Sequence, residues 1–545
     1  MDAKQLLKEL DTLKGERSKL DRTFEQIAEH VCPSYLGFIG HKDDGDKKTN
    51  RIFDSTASLG LSRFGSSIES LVTPRTSTWH SLQPIDPELE DDQEIKTYLD
   101  EVTKIMFRVR YGAKSNFAQQ AHELYLSLGA FGTGCMFVDD GGLDQDTPIL
   151  YRHIPLHELH IKEDFQGMVD CVYRSFQLTA RQAAQQFGLE GLPEKIQRAY
   201  ETQPHQKFDF VHHVRPNVTM DEERLDAQGM PIKSYYISVE GAMIIQEGGY
   251  STMPYMVPRY EVVGGPYGRS PSMTILPDIL TVNEISKTLL RVGQRMAEPP
   301  LLLQEDGSLD GFDLSAGALN YGGIDDIGRQ LVQPLQINGN LPVGLELLQD
   351  RRKAINEAYL VNLFQILVDS PQKTATEAMI LQQEKGALLA PMAGRVSQEF
   401  LGVLIDRELD LLSKNGLLPP MPEALIGAGG LVKASFESPA LKAQQADEGV
   451  GIMRTLEASA TIAQFEPNIV QIINAQEAIR RLAEVNGAPP DILKSNDELE
   501  QEAEAKAQQE QMQQVLQSAP LIGKTAESLA KAQQMEQMKG TGAVL

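Results

Sequence analysis

The sequence predicts an α+β protein in which helices predominate. Long segments place apolar residues three or four positions apart, which is the spacing of amphipathic helices. From residue 135 onward, short runs of β-branched and aromatic residues alternate with glycine-containing turns, and the first four runs follow one another without a helix. This order favours an antiparallel sheet over a βαβ repeat. The length of 545 residues predicts about three or four domains.

The chain is strongly acidic. It has 76 acidic and 51 basic residues, which gives a formal net charge of −25. A protein that grips nucleic acid along its surface needs basic residues to neutralise phosphates, so the charge argues against that class. A protein that passes nucleic acid through an aperture without gripping it remains possible. Cys32, Cys135 and Cys171 are too few for a disulfide framework or a four-thiolate zinc site, which indicates a reducing compartment.

The first twenty residues alternate charge and leucine and lack the apolar core of a signal peptide. No stretch of the sequence approaches the roughly 18 uncharged apolar residues of a membrane span. We therefore expect a soluble, intracellular protein with no membrane partner.

The first part of the chain is predicted to be helical. From Leu6 to Val31 the apolar residues keep a 3.5-residue period, and Arg17 occupies the one position that breaks the apolar seam. Two further helices are predicted at 55–73 and 91–110. The proline-rich segment between them contains the only tryptophan.

The next region combines helices and strands. A helix is predicted from Phe117 to about Ser127, and Thr179 begins another. Between them we expect strands of one antiparallel meander at 135–138, 149–153, 159–161 and 171–176. More strand sequence follows at 208–214 and 234–246.

Two helices flank an acidic, glycine-rich segment in the second half of the chain. The first helix, at 273–297, has Pro277 in its first turn and stops at Pro299. The second is predicted at 343–367. Both carry more apolar positions than one partner helix within the chain would cover, so some positions, Leu289 among them, are expected to lie between subunits.

A polar break at 369–374 separates the second helix from a much longer one. Thr374 and Glu377 have capping-box spacing and open a helix of about forty residues, kinked at Pro391 and closed near Gly416. Helical segments resume from Leu441. The last residues, 501–545, are rich in glutamine and alanine and are predicted to be helical or disordered.

The usual signatures of catalysis and metal binding fail on inspection. The segment Gly264–Ser270 lacks the spacing and the lysine of a phosphate-binding loop and is interpreted as a turn before a helix. His157 and His160 are three apart, not four, so together with His153 they are interpreted as surface and turn histidines. Cys135 is expected to be a buried, inert thiol. We predict no catalytic residue, no metal site and no cofactor.

Two further features are assigned to ordinary structure. The acidic segment Asp140–Asp146 lacks the glycine of a calcium-binding loop and is interpreted as a hairpin loop. Basic residues cluster at 351–353, and Arg291 and Arg295 lie in the preceding helix. Each helix carries about as many acids, so these residues are expected to form salt-bridged helix surfaces.

Several strings in this order and spacing resemble one family. They are 52–57 (IFDSTA) with 71–74 (LVTP) and Trp79, 115–117 (SNF) with 129–134 (GAFGTG), 267–271 (YGRSP), and 374–379 (TATEAM) with Arg395 and 399–401 (EFL). The whole resembles the portal, or head-to-tail connector, proteins of tailed bacteriophages, particularly short-tailed ones, over about residues 15–440. The last 45 residues match nothing in that family.

The resemblance implies a portal-type subunit of a ring, usually of twelve copies, with an axial channel at one capsid vertex. Double-stranded DNA is pumped in through the channel by a separate terminase and later leaves by the same route. The expected parts are the wing at 1–270 and 375–440, the stem helices at 271–297 and 343–367, the clip at 298–342, the tunnel loop at 368–374 and the crown at 441–500.

The resemblance also suggests partners and site residues. The acidic clip is expected to dock terminase and then tail adaptor proteins through Glu305, Asp306, Asp310 and Asp313. The tunnel loop is expected to touch DNA through Gln372 and Lys373. Major capsid and scaffolding proteins are further expected partners, with assembly in the host cytoplasm and a final place in the virion. Two alternatives stay open: an intracellular nucleic-acid or nucleotide enzyme with an unrecognised site, and a helical scaffold or adaptor.

Overall fold

The computed structural model describes residues 2–40, 49–75, 77–90, 92–141, 148–221, 223–224, 226–303, 327–335, 341–361, 392–436 and 451–459, together with residues 313, 315, 317–319, 324, 474, 478–479 and 481–483. The chain divides into two compact units. Unit 1 comprises Met1–Leu82, Val102–Pro420 and Ala434–Ala440, and unit 2 comprises Gln83–Glu101, Met421–Lys433 and Leu441–Leu545.

The predicted N-terminal helix is confirmed as α1 (Ala3–His30). Arg17 is buried, although it interrupts the apolar seam. Its Nε lies 2.8 Å from Asp21 Oδ1, and its Nη1 donates to the carbonyl of Leu156 at 2.9 Å. These partners offset the cost of burying the guanidinium. Leu20, predicted on the seam, is 37% exposed. The buried apolar seam residues are Leu6, Leu10, Leu13, Phe24, Ile27 and Val31.

Three more helices complete the N-terminal set. They are α2 (Thr56–Val72), α3 (Gln93–Arg110) and α4 (Phe117–Phe131); α2 and α3 lie where predicted, and α4 runs past its predicted end. Helices α2 and α4 approach closely because Gly129 has no side chain: a Cβ there would lie 2.6 Å from the Phe64 ring. A short strand that the sequence did not predict, β1 (His80–Pro84), follows Trp79.

The prediction of one meander is wrong, because the β-rich region forms two sheets. In the first, β2 (Met136–Asp140) lies between β3 (Ile149–His153) and β9 (Tyr255–Met256). Pro155 and a 3₁₀ turn at Leu156–Glu158 lead the chain out of this sheet, since proline lacks the N–H of a continuing strand ladder. The second sheet is antiparallel in the order β4 (Leu159–Glu163), β5 (Val169–Thr179), β6 (Lys207–Pro216), β7 (Ile232–Ser238) and β8 (Met243–Tyr250).

The five-stranded sheet has helices on both faces. Val211 packs with α1 residues, whereas the adjacent Phe210 packs with α5 (Ala180–Phe187) and α6 (Glu194–Thr202). Successive strand residues point to opposite faces, which explains this division. The helix start at Thr179 is confirmed: its side chain and that of Gln182 form a capping box.

The predicted helix at 273–297 is interrupted at Ile275, which divides it into α7 (Pro271–Thr274) and α8 (Leu276–Ala297). Two short strands follow, β10 (Leu301–Leu303) and β11 (Val332–Pro334), and they pair antiparallel. The next helix, α9 (Leu341–Ala358), is shorter than predicted. It ends at Tyr359 and Leu360, and Leu360 has a left-handed φ of +59°.

The C-terminal part of unit 1 is also helical. Residues 392–396 are helical, Ser397–Gly402 forms a π-helical turn, and α10 (Val403–Lys414) ends at Gly416 as predicted, with φ of +65°. A π-turn was not predicted. The described residues that follow include α11 (Glu423–Gly427), β12 (Val432–Phe436) and helical residues 451–459. The predicted Thr374 cap, the Pro391 kink, most of 441–500 and all of 501–545 lie outside the described residues.

Within unit 2, two contacts join segments far apart in sequence. The N–H of Ile85 donates to the carbonyl of Leu431 at 3.2 Å, and Lys433 Nζ lies 3.1 Å from Glu90 Oε1. Over the part of the chain that the structure describes, none of the helices combines the length and apolar character needed to cross a membrane.

Candidate channel hairpin

Helices α8 and α9 form an antiparallel pair, and the β10–β11 ladder joins them at one end. Leu289 of α8 packs against Gly344 of α9, where an added Cβ would lie 3.2 Å from a Leu289 methyl carbon. Nearer the start of α8, Arg351 Nη1 donates to Asp278 Oδ1 at 2.8 Å. These contacts fix the register of what we call the hairpin, α8 and α9 with β10–β11. A groove of about 590 Å³, lined mainly by α8, runs along it.

The hairpin is tied to the segment that precedes α2. Asn283 accepts a hydrogen bond from the N–H of Phe53 and donates to the carbonyl of Arg51, both at 2.7 Å. Arg352 donates through Nε and Nη2 to Asp54 Oδ2, at 3.0 and 2.6 Å. Burial alone would raise the pKa of Asp54, but hydrogen bonds from Thr56 and Arg352 hold it below its ordinary value.

The end of α9 is fixed by Tyr359, which is fully buried. Its hydroxyl lies 2.7 Å from the Ser272 hydroxyl on α7. Its ring fills a notch on α2 at Gly60, where an added Cβ would lie 2.7 Å from the ring. These contacts hold Tyr359 at the end of α9. The next residue, Leu360, has a left-handed backbone conformation, which is unfavourable for leucine.

Buried arginines join the helical segment after residue 392 to the N-terminal region. Arg259 Nη2 donates to Glu399 Oε1 at 2.7 Å, and Arg407 Nε donates to the carbonyl of Val138 at 3.2 Å. Both guanidinium groups are almost completely buried, with 1% residue exposure each. Moving the helical segment after residue 392 would leave these buried guanidinium groups without partners. Because an unpaired buried charge is costly, each contact favours the observed position of the segment against the N-terminal region.

The third buried pair joins Arg110 to Glu408. Arg110 is fully buried; its Nε donates to Glu408 Oε1 at 3.1 Å, and its Nη2 donates to Glu408 Oε2. The Tyr151 hydroxyl donates to Glu408 at 2.7 Å, and Trp79 stacks on the guanidinium, 4.5 Å away. Burial opposes the charge on Arg110, but Glu408 raises the pKa of Arg110 above its ordinary value.

The family model described as "Bacteriophage head to tail connecting protein" matches residues 3–493. The chain belongs to this family. It is 27% identical over 542 residues to the portal protein of Salmonella phage epsilon15, covering 98% of this chain and 96% of that protein. It is 26% identical over 540 residues to the probable portal protein of Bordetella phage BPP-1, covering 97% of this chain and 95% of that protein.

Family membership confirms the resemblance stated above, and the role of a phage head-to-tail connector follows from it. The match covers both helices of the hairpin and the α+β region that holds them. The alternatives of an enzyme and of a helical scaffold or adaptor have no comparable support.

Of the residues predicted to dock partners or touch DNA, only Asp313 is described. Asp313 Oδ1 accepts hydrogen bonds from the N–H of Ser315 at 2.9 Å and from its hydroxyl at 2.5 Å, and these bonds lower the pKa of Asp313. The other five residues lie outside the described part of the chain: Glu305, Asp306, Asp310, Gln372 and Lys373.

The histidine interpretation needs one correction, because His160 is buried in β4. Burial, with Arg17 nearby, lowers the pKa of His160 to about 2. Burial also lowers the pKa of His153, to about 4. Among the described residues no group of three or more histidine, cysteine or acidic side chains is arranged to hold a metal ion. Cys135 is buried as predicted, and burial raises the pKa of its thiol.

The basic cluster at 351–353 is salt-bridged in part, as predicted: Arg351 pairs with Asp278 and Arg352 with Asp54. The three buried arginine contacts were missed. The sequence feature that could have indicated burial is a charged residue on an apolar helix face. Arg407 and Glu408, for example, lie between Leu404 and Leu411.

Proposed function

We propose that the chain is one subunit of a ring, of twelve copies by the family resemblance, at one vertex of the capsid. Double-stranded DNA passes through the axial channel of this ring. The observation that carries the proposal is the connector-family match over residues 3–493, which includes the whole antiparallel hairpin. Exposed apolar residues on the hairpin support assembly, since a soluble helix pair rarely exposes this many unless a partner covers them. They are Leu290, Met296, Leu302, Val343, Leu345 and Leu347.

In this proposal helices α8 and α9 of the hairpin belong to the stem, which is 271–297 and 343–367. Residues 1–270 and 375–440 form the wing, and the buried contacts of Arg110, Arg259 and Arg407 support placing the two segments together. The clip is 298–342, the tunnel loop 368–374 and the crown 441–500. The subunits assemble in the host cytoplasm with capsid and scaffolding proteins and remain in the virion.

Imaging of the purified chain tests the ring. Negative-stain images and mass photometry are expected to show rings with a central hole and a single dominant mass. A compact monomer or dimer at micromolar concentration would refute the ring. Leu289, predicted to lie between subunits, packs on α9 of its own chain, so a charge at Leu289 would also disturb the hairpin.

The clip is proposed to dock terminase and later the tail adaptor proteins. Six carboxylates lie between residues 305 and 326 with Arg329 the one basic residue of the segment 301–342, so a basic partner would be steered there at a salt-dependent rate. Replacing Asp310 and Asp313 by Asn is expected to weaken terminase-driven packaging while rings still form. Unchanged packaging, or stoichiometric Ca²⁺ binding by calorimetry, would contradict this role.

The tunnel loop is proposed to contact DNA through Gln372 and Lys373. A lysine ammonium is a mobile single charge, which suits brief contact with a moving phosphate. Deleting 370–373 is expected to leave ring assembly intact while packaged DNA slips back out. Full-length genomes retained at wild-type yield would show that the loop does not hold DNA.

A further inference from the structure

The outer sides of the two hairpin helices carry opposite charge. On α8, Glu284, Lys287, Arg291 and Arg295 follow one another at steps of three or four residues, and we call this set the basic ridge. Its formal charge is 3 − 1 = +2. On α9 the corresponding set, the acidic ridge, has a formal charge of 1 − 3 = −2 and consists of Glu346, Asp350, Lys353 and Glu357.

Both ridges lie away from the contact between α8 and α9. Leu289 marks the side of α8 that touches α9, and at about 100° per residue Arg291 lies about 160° and Arg295 about 120° around the helix from it. Gly344 marks the matching side of α9, and Glu346 and Glu357 lie about 160° and 140° from it. The ridges therefore occupy opposite edges of the two-helix layer.

Most charged side chains of the two ridges are exposed and are not neutralised by an ion pair within the described part of the chain. Arg291, Arg295 and all four residues of the acidic ridge are exposed. None of these six side chains has an ion-pair partner within 4 Å among the described residues. Lys287 and Glu284 pair with each other at 2.9 Å and leave the arginines as the net charge. By contrast, Arg351 and Arg352, which face the rest of the chain, are both paired.

We propose that the basic ridge of one copy of this chain packs against the acidic ridge of the next copy. The proposal rests on the ring proposed above and names the surfaces that close it. A closed ring requires a head-to-tail contact, in which one edge of a subunit meets a different, complementary edge of its neighbour. Two ridges of equal and opposite charge, on opposite edges of one layer, meet that requirement. Each ridge spans 11 residue steps, or about 16 Å.

The register of α8 against α9 determines how far the hairpins must tilt for the two ridges to meet. Because Leu289 lies opposite Gly344, the centres of the two ridges are displaced by about eight residues, or about 12 Å, along the hairpin. Neighbouring copies sit two helix spacings apart, about 18 Å. The ridges then meet when the hairpins are inclined to the ring axis by about 30°.

Charge reversal tests the contact. The first variant carries Arg291→Glu and Arg295→Glu, and the second carries Glu346→Lys and Glu357→Lys. Each alone is expected to lower the ring fraction at least tenfold in mass photometry, since like charges then face each other. Mixing the two variants is expected to restore rings, because every interface in an alternating ring again joins opposite charges.

Several controls separate the outcomes. Lys8→Glu with Lys19→Glu, on exposed positions of α1, makes the same change in net charge as the first variant and is expected to leave rings intact. Circular dichroism melts of each variant verify folding. Folded variants that assemble alone like the wild type, or that fail to assemble on mixing, overturn the proposal.

Two further results are decisive in different ways. Normal rings of the Arg291→Glu, Arg295→Glu variant with altered DNA passage would overturn the proposal and assign the basic ridge to DNA in the channel. Absence of rings from the wild-type chain would instead overturn the proposed ring itself. If the wild type forms rings and the charge-reversed variants do so equally well, only the ridge contact is contradicted.

Discussion

Replacing Glu408 by glutamine is the sharpest test of how the segment after residue 392 is held. Glutamine keeps the size of the side chain and removes its charge. In the wild type both carboxylate oxygens accept from Arg110, and one also accepts from Tyr151. In the variant a single amide oxygen replaces these acceptors, and the amide N–H₂ group faces donors.

The expected cost is large because Arg110 cannot reach water. Its side chain is 0% exposed, and His80 and the Trp79 ring are its other close neighbours, at 3.0 and 4.5 Å. Breaking a buried ion pair by removing one partner typically costs about 3–5 kcal/mol. We expect Glu408→Gln to fall in this range. The double variant Arg110→Met, Glu408→Leu removes both charges and is expected to cost at least about 2 kcal/mol less.

The assay is chemical denaturation followed by the fluorescence of Trp79, which is the only tryptophan and touches the ion pair. A double-mutant cycle built from the single variants Arg110→Met and Glu408→Leu and their double variant then gives the coupling energy between the two charges. A cost below about 1 kcal/mol for Glu408→Gln, or a double variant as unstable as the sum of the single variants, would refute the reasoning.

Three other perturbations test separate features. Gly60→Ala is expected to lower stability by about 1–3 kcal/mol because its Cβ would lie 2.7 Å from the Tyr359 ring, whereas Gly15→Ala, with open space around it, is expected to raise the melting temperature. Asp54→Asn is expected to cost about 1 kcal/mol at pH 7. The pKa of Asp54 is lowered in the fold, so the wild type keeps this advantage above pH 3.8 and loses it as the pH falls from 3.8 through the lowered pKa; the difference in stability between the two proteins should shrink over that range. His160 stays neutral in the fold, so protonation of the unfolded chain below pH 6.5 destabilises the wild type; His160→Gln is expected to make the fall in stability between pH 6 and pH 4 shallower by about 1 kcal/mol per pH unit.

Local pattern was sufficient for most helices and strands. The α1 helix with its 3.5-residue period, the helix start at Thr179 and the glycine after α10 depend on residues close in sequence, and the structure confirms all three, with Leu20 the one exposed residue of the predicted seam. The resemblance to head-to-tail connectors was also available from the sequence, since it depends on ordered motifs, and the family match confirms it.

Long-range packing decided what the sequence left undetermined. Strand sequence alone did not show that Pro155 separates two sheets, because pairing partners are chosen by the tertiary fold. The end of α9 at Tyr359 depends on a notch in α2 about 300 positions earlier, so local helix propensity overestimated its length.

The sequence by itself determined the class of this protein, the order of its main helices and the charge along each helix, because these follow from composition and short periods. Only the tertiary structure decided which charges are buried in pairs and which remain exposed. Arg110, Arg259 and Arg407 are basic residues of the same type as Arg291 and Arg295, and residue type alone does not separate the two groups. The first three are buried against acidic or carbonyl partners, while the last two face solvent on one edge of the hairpin. The physical reason is that burial depends on residues brought together from distant parts of the chain.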